Sequence, residues 1–171
     1  MGAENSSLGL KYIGVADVTA NAVPTVYTEL EDAVIDSASV TENEPTTEDI
    51  RIEQSRGIYR TITTEEGSTV FAVQLYDVSV DNLELLKGGT VTAPSAGKGK
   101  TWSNKDSSFE VNKAVKLETL DGYKLYIPNG RVVALVTFAL AKSGLATVSL
   151  TITAQDHTEG SVLWEEPVAG E

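Results

Sequence analysis

His157 is the only histidine in the chain, so a serine- or threonine-based catalytic triad would have to take its base from there. It lies in Gln155-Asp156-His157-Thr158-Glu159, a polar, turn-like stretch that does not read as a pocket wall. With one histidine and no cysteine, metal centres built from several His or Cys ligands are excluded by count. A calcium site made of Asp and Glu is conceivable in the acidic first third, yet the D-x-[DN]-x-[DN]-G loop is missing. Gly97-Lys98-Gly99-Lys100-Thr101 has the look of a phosphate-binding loop. The full pattern needs glycine where Pro94 stands and a helix directly afterwards, and Trp102-Ser103-Asn104 is a poor helix start. Acidic residues are plentiful, but no pair is singled out for glycoside chemistry. No catalytic residue, cofactor or metal site is assigned, and the chain is expected not to be an enzyme.

The composition sets what must carry the function instead. A length of 171 residues fits one domain with a substantial core. Val, Ile, Thr and Tyr are frequent, which favours strands, because β-branched and aromatic side chains suit a pleated, half-buried surface. The net charge of −12 opposes tight binding to phosphate backbones, while leaving room for DNA to pass without sticking. No basic region followed by an apolar run opens the sequence, so no signal peptide is expected. The longest apolar run, 132–141, contains Thr137 and falls short of the ~18 to 20 residues a membrane helix requires. Met1-Gly2-Ala3-Glu4-Asn5-Ser6 fits a myristoylation pattern. With three free positions and no polybasic second anchor nearby, it is read as coincidence.

Residues 1–9 are polar and aperiodic and are expected to form an arm. A single β-rich domain is expected over 10–155, with a polar tail at 156–171. Strands are predicted over 10–18, 25–30, 49–54, 58–64 and 68–78. The last has apolar residues on both faces, which predicts a central strand covered on both sides. No Lys or Arg occurs between Tyr12 and Ile50, a stretch that holds Asp36, Glu42, Glu44, Glu48 and Asp49. That run is either a solvated acidic face or a surface that meets a basic patch on another copy. Residues 79–87 read as the one helix, with Ser79 as N-cap, Lys87 in the last turn, Gly88 as the stop, and a stripe of Val80, Leu83 and Leu86.

Residues 90–92 read as a short strand, followed by a long Gly-, Ser- and Lys-rich loop over 93–106. Its Lys98, Lys100 and Lys105, with Trp102 among them, are candidates for contact with an acidic surface of a neighbouring copy. Phe109, Val111, Val115 and Leu117 alternate with polar residues and predict another strand. Asp121-Gly122 marks a turn, Asn129-Gly130 reads as a hairpin turn, and Gly144 as a further turn. Val148, Leu150, Ile152 and Ala154 alternate in the last long strand.

The stretch from Gly57-Ile58-Tyr59-Arg60-Thr61 through Val70-Phe71-Ala72-Val73-Gln74-Leu75-Tyr76 to the helix at 79–88 resembles bacteriophage major tail, or tail tube, proteins. So do GYKLYIPNG at 122–130, the apolar strand after it, Gly144 and the strand at 148–154. The resemblance implies two packed antiparallel sheets, sandwich- or barrel-like, with one short flanking helix. It also implies a structural subunit of the virion tail, made in the bacterial host cytoplasm. Such subunits form rings, typically hexameric, that stack around a DNA channel and join other tail proteins. DNA would be passing cargo only. Arms or loops bridge successive rings in that family, and the candidates are the N-terminal arm, residues 34–49 and residues 93–106. Sheet edges paired between copies would satisfy the backbone groups that edge strands leave open. The competing reading is a monomeric β-sandwich binding module, for carbohydrate or in an adhesin, with Trp102 or Trp164 as its aromatic platform.

Overall fold

Alternation of apolar and polar side chains carries most of the chain into strands. The computed structural model describes residues 9–105 and 110–168. In chain order the elements are β1 (Leu10–Asp17), β2 (Thr28–Glu29), β3 (Ser39–Asn43), β4 (Thr46–Ile50), β5 (Arg60–Glu65), β6 (Ser68–Leu75) and α1 (Val80–Lys87). They continue with β7 (Thr90–Thr92), β8 (Thr101–Ser103), β9 (Val111–Thr119), β10 (Lys124–Thr137), β11 (Thr147–Ala154) and β12 (Leu163–Glu165). Eight strands form one sheet in the order β2-β1-β9-β10-β11-β6-β3, with β12 beside the first half of β10. The pairs β4-β5 and β7-β8 stand apart from it, and every pairing is antiparallel.

One face of the main sheet makes the core. Ile13 and Val15, Val115 and Leu117, Ile127, Phe71 and Leu75, and Val148 to Ile152 at alternate positions are all buried in a single cluster. An eight-residue helix cannot cover that face, so the sheet must cover itself. The hydrogen bonds show how. Leu30 N–H donates to Ile13 O at the β1 margin, while Val34 N–H donates to Gln74 O and Tyr76 N–H donates to Asp32 O at the β6 margin. In a flat sheet those two margins would lie about 29 Å apart, at ~4.8 Å per strand. From Leu30 to Val34 the chain reaches at most about 14 Å. The sheet is therefore curled, with its β1-β9 half facing its β11-β6 half, and residues 30–34 stitch the margins at one end. This is the expected mainly β, sandwich-like architecture with one short helix, and it is not a closed barrel.

α1 forms where the capping signals place it. Ser79 Oγ accepts from Asn82 N–H, and Gly88, at φ 67°, closes the helix by donating its N–H to Glu84 O. Leu83 and Leu86 are buried in the core, and Lys87 reaches across to donate to Ala134 O.

Five local expectations are corrected. Asn129-Gly130 is not a hairpin turn: β10 runs straight through it. The β9–β10 register slips by one residue between Ile127 and Gly130, which is a β-bulge. The slip lets Leu125 and Ile127 before it, and Val132 and Ala134 after it, all face the core. Gly130 is required there for space, because a Cβ would run into the Ile152 side chain. The loop expected at 93–106 contains β8, whose Trp102 pairs with Val91. The strand expected at 49–54 ends at Ile50, and that expected at 25–30 shrinks to β2. Finally, β6 has a strand on either side, but only its inner face is buried. On the outer face Val70 and Ala72 are half-buried and Gln74 is exposed. Phe109, and the arm expected at 1–9 apart from Gly9, lie outside the described residues.

Candidate functional site

β3 and β4 on one side, and β5 and β6 on the other, form one long hairpin. Asn43 faces Ser68, Thr46 faces Glu65, and after a one-residue slip Ile50 faces Arg60. The proximal half, β3-β6, belongs to the main sheet. The distal half, β4-β5, leaves it at Glu44-Pro45 and Glu66-Gly67. Pro45 has no N–H to give a ladder, and a side chain at Gly67 would collide with Asn43 O. All of β4 is exposed, and in β5 only Ile62 is half-buried. Cross-strand bonds from Thr61 Oγ1 to Asp49 Oδ1 at 2.6 Å and from Thr64 Oγ1 to Thr46 O at 3.1 Å help hold it. A two-stranded ribbon with both faces in water is marginal by itself. This arm ends in Arg51, Arg56 and Arg60, three of the four arginines in the sequence. Among the described residues none of the three is in an ion pair. Ile58 and Tyr59 beside them are more than half exposed.

The nominated residues divide between two hairpins. Glu42 lies in β3, Glu44 where the arm leaves the sheet, and Glu48 and Asp49 in β4 of the arm, while Asp36 sits at φ 58° in the turn before β3. Lys98, Lys100, Trp102 and Lys105 belong to the β7-β8 region beside α1. Lys100 Nζ lies 2.7 Å from Asp81 Oδ2, and Trp102 donates its Nε1–H to Gly88 O at 2.8 Å while packing against the core. Trp102 is thus a structural residue of its own chain, poorly placed to serve as an open sugar platform. Lys98 and Lys105 are exposed. The three arm arginines were not nominated, although their concentration within ten residues is visible in the sequence.

A family model described as phage tail tube protein matches residues 16–165, from the end of β1 to the last residue of β12. The chain belongs to the phage tail tube protein family. Among curated proteins none matches the sequence. Family membership makes this a structural protein of a phage tail, and it implies assembly with copies of itself and with other tail proteins.

The tail tube protein has two unlike outer surfaces. Outside β1, β9, the first half of β10 and β12, charges are compensated in place. Lys113 Nζ lies 2.6 Å from Asp17, Lys11 Nζ lies 2.8 Å from Glu118, and Lys124 Nζ lies 3.1 Å from Glu165. The hydrogen bonds from these lysines hold all three carboxyls below the usual range. Lys116 stands over the rings of Tyr12 and Tyr126 at 5.6 and 5.9 Å. Tyr27 lies across Gly14, where no side chain would fit, and its buried hydroxyl has no hydrogen-bond partner among the described residues. Burial pushes the Tyr27 phenol up to about 12, with Tyr126 and Tyr12 adding to the effect. Outside the second half of β10, β11, β6 and β3, by contrast, the surface is nearly free of charge. His157 ties two loops together, with Nε2 2.7 Å from Thr19 O and Nδ1 accepting from Glu159 N–H. No group of three or more His, Asp or Glu among the described residues is placed to hold a metal ion, and no described helix is long and apolar enough to cross a membrane.

Proposed function

We propose that this chain is the self-assembling subunit of a phage tail tube, forming rings, six copies in each, that stack around a channel through which DNA passes. The arm is the observation that carries this reading. An exposed two-stranded ribbon, tipped with arginines that are in no ion pair among the described residues of a chain of net charge −12, has its natural counter-surface on another copy of the same chain. Such a contact joins the arm of one subunit to the body of the next. It is heterologous, and contacts of that kind generate rings and stacks rather than closed dimers. The acidic residues Asp36, Glu42, Glu44, Glu48 and Asp49, and the lysines Lys98 and Lys105, belong to the same set of inter-subunit contacts. The net negative charge supports passage of DNA without specific binding. The subunit is made in the host cytoplasm and built into the virion tail.

The test is assembly of the purified chain at rising concentration, followed by light scattering and negative-stain microscopy. Rings or tubes are expected from the wild type. A variant in which an Asn-Gly turn replaces residues 44–67, linking Asn43 to Ser68 through those two residues, is expected to fold and stay monomeric. A wild-type chain that remains monomeric at every concentration, or an armless variant that builds tubes equally well, counts against this reading.

A further inference from the structure

We infer that the outer face of the second half of β10, β11, β6 and β3 is a buried contact with a second copy of this chain. The inference rests on the self-assembly reading and assigns it a surface other than the arm. Register places Val133, Thr151, Ala72 and Ser39 side by side in one row across the four strands, with Leu135 and Ser149 in the next. Val133 is 44% and Leu135 61% exposed, at the rim of a hollow that α1 and β8 also border through Leu86, Lys87 and Trp102. Arg131 is the only charged side chain among the outward positions of these strands, in a sequence that is 22% charged. The rest are Thr, Ser, Val, Ala, Leu, Gln and Asn.

A solvated surface of so acidic a chain should carry charge throughout, as the Lys–Glu and Lys–Asp pairs do on the other half of the sheet. Depletion of charge marks the centre of a protein interface. The apolar pattern on both sides of β6 agrees with this, since Val70 and Ala72 call for a cover that the described residues supply only in part. DNA is a poor occupant, because one arginine cannot neutralise a run of phosphates. A second copy fits on two grounds. The face is continuous, through β3 and β6, with the arm. Its size also suits a share of a protein contact: four strands ~4.8 Å apart and seven residues long project roughly 400 Å², about half of what one partner contributes to a standard interface.

The chain has no cysteine, so Thr151→Cys places a single thiol at the middle of the face. It is expected to react with a small maleimide freely in the monomer and about tenfold or more slowly in assembled tubes, as burial excludes the reagent. Equal labelling in both states would overturn the inference, and would point instead to a face that lines the channel or the outside of the tube. Thr151→Glu and Thr151→Lys supply a second measurement. Both are expected to melt like the wild type and to raise the concentration needed for assembly by about tenfold or more, because either sign buries an unpaired charge. If wild type assembles and both charged variants assemble with it, the inference fails while the self-assembly reading stands. If wild type never assembles, both fail.

Discussion

Asn129-Gly130 and Tyr27 show how a residue's meaning depends on neighbours far away in sequence. The Asn-Gly pair carries the chemistry of a tight turn, yet β9 continues as its partner on one side. Gln155 N–H and the carbonyl of Asp156 hold Asn129 on the other. Gly130 is kept for lack of volume rather than for a positive φ. Tyr27 reads as an ordinary β-former, but its hydroxyl is buried without a partner and its phenol rises from 10.0 to about 12. An acid that holds its proton more tightly when folded lends stability that is whole below its unfolded pKa and lost as pH climbs towards the folded one. The affected window is therefore pH 10 to 12. Tyr27→Phe should remove the last phenolate to appear in an alkaline ultraviolet titration. It should leave stability at neutral pH unchanged, or raised by up to about 1 kcal/mol, because an unsatisfied hydroxyl is taken out of the interior. Loss of more than that in a urea melt would show that the hydroxyl is satisfied after all.

The helix and the long alternating strands could be read directly, since capping residues and period-two patterns act within a few positions. Ser79, Lys87 and Gly88 mark α1 to within a residue, and the strand from Val148 to Ala154 is β11. The arm could not be read as an arm. Thr46 to Ile50 and Arg60 to Glu65 pair as strands do, and nothing local says that they pair outside the main sheet. At this scale the arginines can be tested as a group. Arg51, Arg56 and Arg60 replaced together by Gln should change folding stability by no more than ~0.5 kcal/mol per site, since all three are exposed and in no ion pair among the described residues. Assembly should weaken, and whatever remains should respond less to added salt than wild-type assembly does, as screening acts on the charges removed. Light scattering across a salt series measures both. An unchanged salt response would remove the arginines from the contact.

Curling of the sheet belongs to the molecule as a whole. Residues 30–34 look like a connection between strands, yet they join the two margins of the sheet, and Leu30 is 6% exposed while Val26, four residues earlier, is 82% exposed. Leu30→Ala should therefore cost about 2–5 kcal/mol, as a core truncation does, against within ~0.5 kcal/mol for Val26→Ala. Urea denaturation followed by tryptophan fluorescence would compare them. Similar melts for the two variants would mean that the margins do not depend on this stitch.

Chain chemistry alone determined the strand-rich class, the helix with its caps and the likeness to tail tube proteins. Those properties follow from residue type, short-range periodicity and charge, which need no knowledge of what lies opposite. Only the tertiary structure decided which hairpin stays in the sheet and which projects, and why Gly130 must be glycine. It also decided which half of the outer surface balances its own charges and which half has almost none to balance. Each of these depends on pairing between residues distant in sequence, and register across strands leaves no trace in any one of them.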